Sequence, residues 1–199
     1  MRKSRKKILS DDNKRATRQK LLKVARRIFT RKGYAATSVS EICKAARVTH
    51  GALYHHFAGK MELFVAVVAA IFEELARKIQ DAADSKLGWE QVEAASSAYL
   101  DACTEPAVQV ILLREAPTIL AHATFLDTDA AVNEPLVAGL MHRWIQMGIM
   151  LPLPLPESAR ILGGAFAEAG AILANVKESN SSRESVDYTI ARLLNGFRA

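Results

Sequence analysis

His50, Tyr54, His55 and His56 lie close together in the segment VTHGALYHHF (48–57), a concentration of rings and titratable groups that suggests three chemistries. Imidazoles can ligate a metal, act as acid or base beside a nucleophile such as Cys43, or offer hydrogen bonds and flat apolar contact to a surface. Spacing argues against the first. At about 100° per residue, positions i, i+5 and i+6 do not share a helical face, unlike the i, i+4 pair of a helical zinc site. The second lacks its parts, because Cys43 falls on the apolar side of its own segment and no carboxylate is placed to orient a histidine. No GxSxG, glycine-rich phosphate loop or carboxylate pair is present, so the sequence reads as a non-enzyme without cofactor or metal.

Contact with a partner is the remaining chemistry. With Leu53 and Phe57 on the inner face of a short helix, Gly51 and His55 point outward, Ala52, Tyr54 and His56 flank them, and His50 occupies the first turn. The small Gly51 and Ala52 would permit close approach. In a major groove the first turn could reach base edges, while hydroxyl and imidazole groups reach phosphates.

The charge distribution names a polyanion. Residues 1–60 carry 17 Lys/Arg against three Asp/Glu, a balance of +14, whereas residues 61–199 carry 10 against 18, a balance of −8. Clustered cations of this kind release counterions from a phosphate backbone. The basic start continues into more charge instead of an apolar signal region, and the longest uncharged apolar run, 63–72, is about half of the ~20 residues a membrane helix needs. Cys43 and Cys103 lack CxxC spacing and read as small buried hydrophobes in a reducing cytoplasm.

Glycine and proline are sparse and alternating strand patterns are missing, so the fold class is all-α. Residues 1–13 lack periodicity and read as a mobile basic arm. A first helix is expected from about 14 or 17 to Gly33, with Leu21, Leu22, Ala25, Ile28 and Phe29 as its apolar stripe. Ser38 with Glu41 fits a capping box for a second, whose inner face is Val39, Ile42, Cys43 and Ala46; Thr49 is placed to cap a third over 50–57. Two short helices on a tight turn have the spacing of a helix-turn-helix. A long helix is expected over 60–83, then helices over 89–103, 107–115, 118–125 and 134–147, an extended GIMLPLPLPE segment, and two last helices over 157–176 and 183–197. The domain reading is an arm (1–13), a helix-turn-helix head (14–60) and a second domain (61–199).

The segment from Arg18 to Phe72 resembles the DNA-binding region of TetR-family transcriptional regulators, through AxxIFxRKGYxxTSVxxI (25–42) and ALYHHFxxKxxLF (52–64). The resemblance implies that the third helix reads DNA, with His50, Gly51, Ala52 and His55 facing bases and Tyr54, His56 and Lys60 holding phosphates. Thr37, Ser38, Ser40 and Thr49 then belong to the DNA-binding set at the starts of the second and third helices. Ala58-Gly59 departs from the polar residues common before the lysine and leaves a weaker cap. Tyr34 reads as packing.

The same resemblance implies a homodimer on a palindromic operator, released by a small-molecule effector bound in the second domain. Phe166, Leu173, Ile190, Leu193, Leu194 and Phe197 are the candidates for the dimer interface or the core beneath it. Trp89, Tyr99, His122, Phe125, Met141, His142, Trp144 and Met147 are the candidates for lining an effector pocket. A rival enzyme reading built on Glu115, His122, His142 and Trp144 suffers from their scatter over separate helices.

Overall fold

The computed structural model describes residues 2–120, 135–175 and 180–199, with residues 2–12, 175 and 180–182 described by backbone alone. Among them the chain is helical, as expected, with one isolated bridge and no strand. It forms two compact units, Met1–Ala69 and Ala70–Ala199.

The first unit contains α1 (Arg2–Lys32), α2 (Val39–Ala46), α3 (His50–His56) and the beginning of α4 (Lys60–Asp84). The segment expected to be an unstructured arm is instead continuous with α1. Its Lys and Arg residues are good helix formers, and neither Gly nor Pro interrupts it. Leu21, Ala25, Ile28 and Phe29 are buried at the expected helical spacing, and Gly33 at φ 79 terminates α1 with its N–H on the Phe29 carbonyl at 2.8 Å. Leu63, Phe64, Val67 and Val68 of α4 are buried in turn. Phe29, Tyr34 and Phe64 form an aromatic cluster, with centroids 5.2 Å apart for Phe29–Phe64 and 4.9 Å for Tyr34–Phe64, so Tyr34 does pack.

The second unit holds the rest of α4 and α5 (Glu90–Ala102), followed by a π-helical stretch, Val108–Glu115, and the short α6 (Ala116–Ile119). Here the structure departs from the α-helix expected over 107–115, while most of the helix expected over 118–125 lies outside the described residues. Pro117 has no N–H to return to a preceding carbonyl, so the turns before it widen and the helix restarts with the proline near its N-terminus. Leu120 then turns extended at ψ 128, which stops α6. Helix α7 includes residues 135–146; α8 (Leu155–Asn175) and α9 (Asn180–Asn195) complete the unit.

Residues 151–154 form no regular element, and residues 149–151 pair with the chain's last residues through the Met150–Arg198 bridge. Leu151 donates to the Phe197 carbonyl at 2.9 Å, Ala199 donates to Ile149 at 3.2 Å, and the Arg198 guanidinium lies over the Trp89 ring at 5.4 Å. Arg183 of α9 bonds Asp101 at 2.8 Å, and Lys78 of α4 bonds Glu105 at 2.6 Å.

The helix glycines of this unit are not equivalent. A Cβ on Gly170 would stand 2.9 Å from Cys103 Sγ and 3.2 Å from Tyr99 Oη, whereas a Cβ on Gly139 of α7 would meet nothing within 4 Å. Burial pushes the Cys103 thiol up to about 11, consistent with a packing role. Gly170→Ala is therefore expected to destabilise by about 1–3 kcal/mol through overpacking. Gly139→Ala should instead stabilise by up to about 1 kcal/mol through helix propensity. Equal denaturation midpoints for the two variants would contradict this packing.

Candidate nucleic-acid interface

The exposed surface of α3 rests on two buried side chains and one cap. Leu53 is fully buried and Phe57 is 2% exposed, so one edge of the helix is fixed in the core. Thr49, at φ −79 and ψ 158, receives the Ala52 N–H on its Oγ1 at 3.1 Å, which satisfies a donor at the helix start. Phe57 closes the other end with its N–H on the Leu53 carbonyl at 2.9 Å. His50, Gly51, Tyr54 and His55 are consequently exposed and Ala52 and His56 half-buried, the arrangement expected from helical geometry. Tyr54, at 57% exposed, is the largest apolar surface offered there.

α2 is positioned by its own ends. Ser38 Oγ accepts the Glu41 N–H at 3.1 Å, but the Glu41 carboxylate bonds Lys32 at 2.7 Å, so the expected capping box acts as a cap plus an ion pair to α1. Ser38 and Ser40 are exposed. Arg47 ends α2 in the left-handed region at φ 53 and ψ 49, a conformation that turns the chain toward α3 and is unusual for a non-glycine residue. Cap chemistry also replaces the missing polar residue before α4: the Glu62 carboxylate reaches back to the Ala58 N–H, and the Gly59 carbonyl accepts from Leu63 at 3.1 Å.

Two expected contact residues are engaged internally. Thr37 is 2% exposed, and its hydroxyl donates to the Gly33 carbonyl at 2.6 Å, so its side chain closes the α1–α2 turn and is not part of the exposed surface. The Lys60 ammonium donates to the carbonyls of Tyr34 and Thr37, both at 2.9 Å, and stands 4.1 Å from the Tyr34 ring centroid. It is a clamp between α4 and that turn more than an outward cation.

Sequence reasoning gave Lys14 and Arg18 no place in the DNA-binding set. In the folded unit both charges act on His56, and the Arg18 guanidinium lies over the Phe57 ring at 5.3 Å. Cations of α1 thus border the α3 surface. Among the described residues no group of three or more His, Cys, Asp or Glu could hold a metal ion, and no helix is long and apolar enough to cross a membrane.

The candidates of the second unit separate as well. Leu173, Ile190 and Leu194 are buried within this chain, so they belong to its own core, whereas Leu193 is 39% exposed; Phe166 and Phe197 are half-buried. The exposed apolar residues of α8 and α9 that periodicity did not single out are Ile161, Ile172 and Tyr188. Among the pocket candidates, Met141 and Trp144 are buried, with Trp144 Nε1 donating to Gln91 Oε1 at 3.2 Å. Trp89 and Tyr99 are half-buried, and the Tyr99 ring meets Phe166 edge-on at 5.3 Å. His142 and Met147 are exposed and line no interior; His122 and Phe125 lie outside the described residues.

Lys60→Met is expected to lower stability by about 1–3 kcal/mol, since two carbonyls lose a charged donor. An unchanged melting temperature with weaker DNA binding would instead make Lys60 a phosphate contact. His56 gives a pH signature. Burial, followed by the charges of His55, Arg18 and Lys14, holds its imidazole below the usual range. As pH falls through about 6.5 the unfolded chain therefore takes up the proton first, and stability declines until the folded-state histidine also titrates. His56→Gln should flatten that acid loss in urea unfolding at pH 7.5 and 5.5 compared with the wild-type chain.

Comparison with known proteins gives this geometry its lineage. The family model described as "Bacterial regulatory proteins, tetR family" matches residues 21–67, and "Tetracyclin repressor-like, C-terminal domain" matches residues 89–197. The transposon Tn10 TetC protein of Escherichia coli is 34% identical over 167 residues, covering 84% of this chain and 85% of the relative. The transcriptional repressor KstR2 of Mycobacterium tuberculosis is 30% identical over 68% of this chain and 70% of its own. A crystal structure of a TetR-family transcriptional regulator from Pectobacterium atrosepticum superimposes with a TM-score of 0.83 at 31% identity, covering 94% of this chain and 97% of the other. Regulators of this kind are non-enzymatic DNA-binding transcription factors, and with both halves of the chain matched, the protein belongs to the TetR family.

Proposed function

We propose that the protein is a repressor that binds a palindromic operator as a homodimer and is released by a small molecule. The observation that carries the reading is the capped α3, which presents His50, Gly51, Tyr54 and His55 outward from a strongly basic unit. Small residues at 51 and 52 allow the helix to sit deep in a major groove, where His50 and His55 meet base edges. Tyr54, His56, Ser38, Ser40 and the α1 cations Lys14 and Arg18 meet phosphates on either side. The repressor direction draws support from the relative described as a transcriptional repressor.

The exposed residues of α8 and α9 support the dimer. Ile161 and Ile172 stand three turns apart on one side of α8 and are 69% and 43% exposed; Tyr188 of α9 is 68% exposed. An isologous pairing through these helices would cover them and set two α3 helices on half-sites of an inverted repeat. The effector would act by favouring the state that fits DNA poorly.

Selection of bound fragments from a random DNA pool tests the reading. The expected product is an inverted repeat whose affinity falls by roughly 10³–10⁵ between 50 and 200 mM salt. His55→Ala should relax base choice by about 1–3 kcal/mol at one position of each half-site. Ile172→Asp should yield monomers on a sizing column and abolish operator binding. Binding without an inverted-repeat preference, or full affinity in the monomeric variant, would sink the proposal.

A further inference from the structure

The guanidinium of Arg143, on α7, has two unlike edges. Its Nη1 donates to Asp84 Oδ1 at 2.6 Å, whereas Nε and Nη2 are buried and have no hydrogen-bond partner. Asp84 is engaged on both oxygens, its Oδ2 receiving Gln80 Nε2 at 2.9 Å. The two hydrogen bonds also hold the Asp84 carboxyl below the usual range, Gln80 contributing first and Arg143 next, so the aspartate remains charged and fixed.

Covering two donors of a charged group without acceptors is unfavourable, and native interiors rarely tolerate it without a reason. Solvent access elsewhere on the side chain makes the burial of this edge more pointed. The Arg143 side chain is 35% exposed, yet the exposed part does not include Nε or Nη2. In a planar guanidinium the Nε and Nη2 hydrogens point in parallel from one side, matching the two oxygens of a carboxylate. Leu140, Met141 and Trp144, neighbours of Arg143 on the same helix, are buried and apolar. The edge is therefore buried on a helix whose flanking residues are apolar.

We propose that the Nε–Nη2 edge of Arg143 is the anion-recognising element of the effector site, and that the effector is a carboxylate with an apolar body. This rests on the reading that the second unit takes an effector. Asp84 tunes the site by sharing the guanidinium charge from the opposite corner, and Gln80 keeps Asp84 from sliding onto the recognition edge. An acid should bind where its uncharged amide does not, since only the carboxylate supplies two charged acceptors in the fork geometry.

The test uses the full-length protein with octanoate and 4-phenylbutyrate against octanamide and 4-phenylbutyramide, read by tryptophan fluorescence and thermal shift. Trp144, the next residue on α7, is buried and serves as the reporter. The acids are expected to bind roughly tenfold or more tightly than the amides, consistent with two charge-assisted hydrogen bonds. Arg143→Met should erase that preference, Arg143→Lys should lose most of it while keeping the charge, and Asp84→Asn should strengthen acid binding. Equal binding of acid and amide, no saturable acid binding up to about 10 mM, or a preference that survives in both Arg143 variants would overturn the site. Operator-release measurements separate the two readings. Arg143-dependent acid binding that leaves the operator complex intact would keep the anion site and defeat its effector role, whereas release by non-acids alone would keep the effector reading and defeat the carboxylate.

Discussion

The DNA-facing unit depends on one ammonium group. Lys60 begins α4, yet its Nζ donates to the carbonyls of Tyr34 and Thr37 in the turn that leads into α2, and it lies against the Tyr34 ring. Those carbonyls follow the end of α1, where helical hydrogen bonding has run out and acceptors need a donor from elsewhere. A single charged group thereby fastens the start of the long helix to the junction of the first two. The Phe29–Tyr34–Phe64 cluster packs beside the clamp, and the buried Thr37 hydroxyl closes the same turn from within. With this junction fixed, α2 and α3 take their positions from caps and from Leu53 and Phe57.

This division of labour explains what was legible in the sequence. Periodicity placed Leu53 and Phe57 inside and Gly51 and His55 outside because a helix imposes that relation on any residues it contains. Caps were legible for the same reason: Ser38 and Thr49 serve N–H groups only three positions away. The partners of Lys60 lie 26 and 23 positions away and are backbone atoms, which carry no residue signature. Family likeness read that lysine as a phosphate contact, and only the folded chain reveals the internal bonds.

The second unit was less legible. Apolar spacing announced that α8 and α9 each bury a face, but spacing alone does not distinguish a helix of the same chain from one of a twin. Leu173, Ile190 and Leu194 turned out to fill their own core, while Ile161, Ile172 and Tyr188 stand outside it. The widened turns before Pro117 were equally hidden, since they arise from a missing hydrogen bond and not from any pattern of side chains. Arg143 escaped notice because an arginine among helical residues looks like a solvated charge until its individual nitrogens are located.

Gly51 carries a consequence for how this regulator can change over generations. It is helical and exposed, and a side chain added there would have only Thr49 Oγ1, at 3.9 Å, as a close neighbour. Most residues at this position would improve the helix, because glycine is the poorer former by about 1 kcal/mol. The fold therefore places no steric veto on substitution at this exposed position of α3. On the proposed reading of α3, lineages descended from this chain can acquire new operator preferences at residue 51 while conserving the scaffold, and duplicated copies can diverge in target without first losing stability.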